Sequence, residues 1–143
     1  MIGVNTDRRT ARVLAVQSLY QLDVQGDSAR EEVEAFLAES GAPSDVIAYA
    51  RGLVEETWSR RAELDEWIGA TSKHWDIHRM ATVDRNILRL GVLEMICRDD
   101  PPEKVAIDEA IELGKAFGTN DSSQFINGIL DAIRHRWGTS SVP

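Results

Sequence analysis

In VDRNILRLGVLEMIC, residues 83–97, the apolar side chains do not keep to one side of a helix. At about 100° per residue, Ile87, Leu88, Leu90, Val92, Leu93, Met95 and Ile96 point in nearly every direction. A helix of this kind must be covered on most faces, so it is expected to run through the middle of the molecule with the other helices packed around it. Glu94 lies inside this apolar surface, four residues after Leu90. A carboxylate there needs a partner: a structural ion pair with an arginine of a neighbouring helix is expected, against the competing reading of a catalytic acid.

Length and composition set the limits. A chain of 143 residues suits one domain and is long enough to bury a core without covalent staples. The single cysteine, Cys97, excludes an internal disulfide and cannot alone form a thiolate metal site; within the apolar helix it reads as core filler, and the compartment as reducing. No run of about 18 apolar residues occurs, and the opening MIGVNTDRR lacks the apolar stretch of a secretion signal. A cytoplasmic location is expected. With 16 Lys plus Arg against 24 Asp plus Glu, the net charge is -8. That argues against holding nucleic acid by bulk electrostatics, so any such contact must be local, while an acidic surface suits a basic protein partner.

Outward from the central helix, the chain reads as helix after helix. Thr6 or Asp7 can cap a first helix running to about Val24, with Leu14, Ala15, Leu19 and Leu22 as its core stripe. Arg9, Val13, Gln17 and Tyr20 follow a second side, with Arg8 and Arg12 beside them. Guanidinium groups hold phosphates, a tyrosine ring stacks on an unpaired base and a glutamine bonds to a base edge, so this is a candidate RNA strip; a solvated basic turn with a half-buried tyrosine is the ordinary alternative.

Gly26 ends that helix, and Ser28 to Glu31 has capping-box spacing for a second one carrying Val33, Phe36 and Leu37 inward. From Ser44 a long third helix is expected, bent near Ser59 and reaching Gly69. Between Ala70 and Thr82 the pattern weakens to a connector with a helical turn around Ile77 to Met80, anchored by Trp75 and Met80. His74 and His78 are four residues apart, but no further ligand is in view, so no metal is expected. After the central helix, Pro102 suits the first turn of a helix whose stripe is Ala106, Ala110, Leu113, Gly114 and Phe117, with Lys104, Asp108, Glu112 and Lys115 in water. Gly118 closes it. The residues 119–122 cap a last helix that turns Ile126, Ile129, Leu130 and Ile133 inward. Asp121 and Phe125 lie one turn apart there and can emerge at one surface spot; an ordinary cap beside a core phenylalanine is the alternative.

Three segments in this order, RRTARVLAVQSLYQLD, MATVDRNILRLGVLEM and PPEKVAIDEAIELGKAFGTNDSSQFINGILDAI, resemble the bacterial transcription antitermination factor family NusB, over nearly the whole chain. The resemblance implies an all-α fold of about seven helices, two small three-helix bundles sharing a core, without catalytic activity or cofactor. It implies one domain over residues 6–138 with subdomains about 6–69 and 76–137, while the composition of the ends suggests flexible tails at 1–5 and 139–143.

The same resemblance implies that the chain binds single-stranded boxA RNA of ribosomal RNA leader transcripts together with the ribosomal protein NusE, so that RNA polymerase reads through terminators. It further implies that Arg8, Arg9, Arg12, Gln17 and Tyr20, with Asp121 and Phe125, match the RNA-contacting side and form one cationic and aromatic platform. Asp84 matches the partner-protein contact, and the family contains both monomers and homodimers, a choice that the sequence leaves open. Thr10 stands where the family often has a basic residue, which points to low RNA affinity without the partner. Two other functions compete: a protein-only adaptor or homodimer, and a stand-alone relative of the N-terminal domain of ribosomal RNA cytosine methyltransferases. The latter enzymes need a following catalytic domain, which is not expected here.

Overall fold

The computed structural model describes residues 4–72 and 76–137, with side chains at the start from Asp7 onward. Among the described residues the chain forms seven α-helices and no strand. They fall into two compact units that divide between Ser59 and Arg60.

The first unit has three helices: α1 (Val4–Gln25), α2 (Arg30–Ala38) and α3 (Ser44–Ser59). Helix α1 packs chiefly on α3, and α2 touches both. Leu14, Ala15, Leu19 and Leu22 of α1 are buried as their spacing requires, together with Val33 and Leu37 of α2 and Val46, Leu53, Val54 and Trp58 of α3. Gly26 ends the first helix at φ 81°, a left-handed backbone that costs glycine little.

Local chemistry at three places differs from expectation. Helix α1 already begins at Val4, so Asp7 sits within the first turn rather than capping it. No capping box forms before α2: a 3-10 turn, Asp27–Ala29, leads into it, and the Ser28 hydroxyl bonds to the Gln25 carbonyl instead. The turn is held from α3, where the Trp58 indole N–H donates to Asp27 Oδ1 at 2.7 Å. Phe36 is not in the core but partly exposed, because Val33 and Leu37 already occupy the inward side of a helix only nine residues long.

The second unit holds α4 (Arg61–Thr71), α5 (Thr82–Val92), α6 (Glu103–Phe117) and α7 (Ser122–Trp137). The expected long third helix is thus broken at Arg60 rather than bent, and α4 belongs with the second unit instead of the first. Its inward residues Leu64 and Ile68 are buried, and α4 packs against α5 and α7. Helix α5 touches all three of its neighbours, and Ile87, Leu88, Leu90, Val92, Leu93 and Met95 are buried. It continues into a wide π-helical turn, Leu93–Cys97, in which Cys97 is half-buried.

Glu94 is buried, 2% exposed. A second buried charge was not anticipated: Arg89 donates from Nε and Nη2 to the two carboxylate oxygens of Asp65 at 2.7 and 2.8 Å, and from Nη1 to Asn86 Oδ1 at 3.2 Å. The small residues of α6 serve close approach as expected. A Cβ at Gly114 would meet Ile126 Cδ1 of α7 at 2.8 Å, and one at Gly91 would meet Leu130 Cδ1 at 2.9 Å. Phe117, expected on the α6 core stripe, is instead 36% exposed at the last position of the helix.

His74 of the suggested histidine pair, the Trp75 anchor and the segments 1–3 and 138–143 lie outside the described residues. Among the described residues no group of three or more His, Cys, Asp or Glu is placed to hold a metal ion, and no helix is long and apolar enough to cross a membrane.

Candidate functional site

Each unit carries part of the expected site. On α1, Arg9 and Gln17 are exposed, Val13 is half-buried and Tyr20 is 44% exposed. These four follow one side of the helix because Ala11, Ala15, Ser18 and Leu22 take the opposite side into the core. The result is a line of guanidinium, amide and phenol reaching into water.

The two remaining arginines behave differently. Arg8 is half-buried, and its guanidinium carbon lies over the Tyr49 ring of α3, 5.0 Å from the centroid. Arg12 does not belong to the exposed strip: it is 3% exposed. Its spacing explains this, since Arg12 precedes Ala15, Val16 and Leu19 by three, four and seven residues and so lies on the core stripe. A guanidinium so placed cannot face a phosphate in solvent. The helical period carries this signal, whereas the three closely spaced arginines read by charge alone suggest a solvent-facing strip.

In the second unit, Asp84, Asp121 and Phe125 come together. They line one groove of about 250 Å³ with Arg79, Met80 and Ser122. The turn between α6 and α7 sets this geometry. The Thr119 backbone N–H donates to Ser122 Oγ at 2.9 Å, and the Ser122 N–H donates to the Thr119 carbonyl at 3.1 Å. Ser122 is buried by this exchange, which leaves Asp121 exposed just before the helix and Phe125 half-buried one turn on. A Cβ on Gly118 would run into the Ser122 side chain and stand 2.8 Å from the Gly114 carbonyl oxygen, so this crossing requires glycine.

Asp84 enters the groove from the first turn of α5. Its Oδ1 is buried and has no hydrogen-bond partner in the structure. The opposite wall comes from the 3-10 turn Ile77–Arg79, where the Asp76 carboxylate accepts from the His78 N–H at 2.9 Å and Arg85 Nη1 donates to the Ile77 carbonyl at 3.1 Å. Sequence reading found Met80 as a buried anchor but missed Arg79 as groove wall, because the connector has no periodicity to place a side chain. An aromatic face, two carboxylates and one guanidinium around an open groove suit a ligand rich in N–H donors.

The family model described as the NusB family matches residues 9–135. The chain belongs to the NusB family. Its NusB relatives include the transcription antitermination protein NusB of Syntrophus aciditrophicus, 44% identical over 126 residues that span 88% of this chain and 78% of that protein. Among solved structures, NusB of T. maritima is 32% identical with a TM-score of 0.81, covering 94% of each chain. The antitermination factors NusB and NusE in complex with dsRNA supply another, 30% identical with a TM-score of 0.82, covering 96% of this chain and 100% of that one. The all-α architecture of seven helices is therefore that of NusB proteins.

Proposed function

We propose that this NusB-family chain is a non-catalytic, cytoplasmic antitermination factor. It binds boxA-type single-stranded RNA of ribosomal RNA leader transcripts jointly with the ribosomal protein NusE, and so promotes read-through by RNA polymerase. The observation that carries the RNA reading is the exposed line of Arg9, Gln17 and Tyr20 on α1, a local cationic and aromatic strip on a chain of net charge -8. Arg9 and Arg8 hold phosphates, Tyr20 offers a face to an unpaired base and Gln17 reads a base edge. Phe125 and Asp121 offer a second ring and an acceptor in the groove of the other unit, and Asp84 is the contact for NusE. Arg12 supports the strip from within the core and touches no RNA.

The mechanism is scaffolding. Each partner raises the affinity of the other by sharing one RNA, and the acidic remainder of the chain attracts a basic ribosomal protein. The test is a titration of labelled boxA RNA, a scrambled strand and a boxA duplex, with and without NusE. Preference for the boxA strand, strengthened by NusE, is expected. Equal binding of boxA and scrambled strands in the presence of NusE rejects this function and leaves a protein-only adaptor.

A further inference from the structure

The contact between Arg8 and Tyr49 lies outside what the function above uses. It joins the start of α1 to α3, with the guanidinium carbon 5.0 Å from the ring centroid. Both residues are half-buried, and both line a small groove of about 230 Å³ with Asp7, Asp45 and Val46.

Three physical facts bear on this arrangement. An arginine in the first turns of a helix has many rotamers, and a phosphate that binds it must freeze them, which subtracts from affinity. Two carboxylates in the same groove, Asp7 and Asp45, draw a cation inward but also oppose an incoming phosphate. An aromatic face differs from both: it attracts the cation through its quadrupole, adds no negative charge, and takes up none of the guanidinium N–H donors by that contact.

We propose that Tyr49 is a positioning residue for RNA, holding the Arg8 guanidinium in one place by its ring face so that the cation is prealigned for a backbone phosphate. The inference rests on the reading of α1 as an RNA-binding helix. Tyr49 touches no RNA in this scheme. Its influence passes wholly through Arg8, and this distinguishes it from a residue that merely joins α1 to α3.

A double-mutant cycle tests this, using the full chain with NusE and labelled boxA RNA. Tyr49→Leu weakens binding by roughly three- to fivefold, the range of a cation–π contact at a partly exposed site. Tyr49→Phe, which keeps the face, stays within about twofold of the parent on the same scale. In an Arg8→Ala background, Tyr49→Leu costs nothing further. Thermal melts accompany each variant, and Tyr49→Met replaces Tyr49→Leu should the latter not fold. Equal losses from Tyr49→Leu with and without Arg8, or a Tyr49→Phe variant as weak as Tyr49→Leu, overturn the proposal. Arg9→Ala and Tyr20→Ala run in the same titration separate the two levels. Losses there with none from Tyr49→Leu overturn the positioning role alone, whereas no loss in any variant and no preference for boxA overturn the RNA reading and this proposal with it.

Discussion

Arg89 of α5 and Asp65 of α4 meet through two hydrogen bonds, from Nε and Nη2, of 2.7 and 2.8 Å, and only 6% of the arginine side chain and 19% of the carboxylate side chain reach solvent. A planar guanidinium fits a carboxylate in this two-point manner, which fixes the register of one helix on the other as well as pairing the charges. Asp65→Ala leaves the Arg89 cation buried without its carboxylate. The expected cost is about 3 kcal/mol of folding stability, the lower end for breaking a buried pair because Asp65 is partly exposed. Urea denaturation measures it. Replacing both residues by apolar ones of similar volume should restore much of the loss.

Arg9 and Arg12 should separate function from stability. Arg9→Ala removes an exposed charge, so boxA affinity falls and the slope of log affinity against log salt flattens by about one, with the melting temperature unchanged. Arg12→Ala empties a buried position, 3% exposed, and should lower the melting temperature. Its salt slope should match that of the parent. A flattened slope for Arg12→Ala would return that residue to the RNA surface.

Tyr20→Ala is expected to weaken boxA binding by about 1–3 kcal/mol, the usual worth of a base stacked on an aromatic ring, while folding stability falls less than for a core ring because the residue is 44% exposed. Phe125→Ala should weaken binding and folding together, since that ring is half-buried against its own unit. Calorimetry of each variant alongside the RNA titration distinguishes the two patterns.

Gly118→Ala should destabilise the chain by about 1–3 kcal/mol, because the added methyl group is forced towards Ser122 and the Gly114 carbonyl oxygen. The groove depends on the same crossing. NusE binding should therefore weaken even at temperatures where the variant is folded, as titration calorimetry can show.

The exposed pair of Arg60 and Glu63 gives the opposite expectation from Arg89 and Asp65. A hydrogen bond from Arg60, aided by its charge and opposed by slight desolvation, holds the Glu63 carboxyl below the ordinary glutamate range. A lowered folded value means that the contribution is present at neutral pH and lost as pH falls through that value. Both side chains are well solvated, so the effect is small: Glu63→Gln should lower the neutral-pH urea midpoint only slightly, and the difference from the parent should vanish at acid pH, where the carboxyl is protonated.

Much of this was written in the residue pattern. The all-round apolar run at residues 83–97 identified the central helix, and the stripe Leu14, Ala15, Leu19, Leu22 identified which side of α1 faces inward. Period determines burial when a helix is long. It fails for Phe36 and Phe117, because a nine-residue helix and a helix terminus do not have enough covered surface for every apolar side chain. The bidentate partner of Arg89 was not legible, since Asp65 lies 24 residues away and only packing brings it near. Arg79 in the groove wall was hidden for a related reason: its place depends on hydrogen bonds of a 3-10 turn that leave no trace in hydrophobic spacing.

Asp84 Oδ1, at the wall of the groove, is buried and receives no hydrogen bond from the protein. A buried acceptor left without any donor costs about 1–3 kcal/mol. A ligand in the groove that aims one N–H at this oxygen supplies the donor that the protein does not. Affinity there should follow the aim of that single donor more than the area covered, and the occupied protein should melt higher than the vacant one.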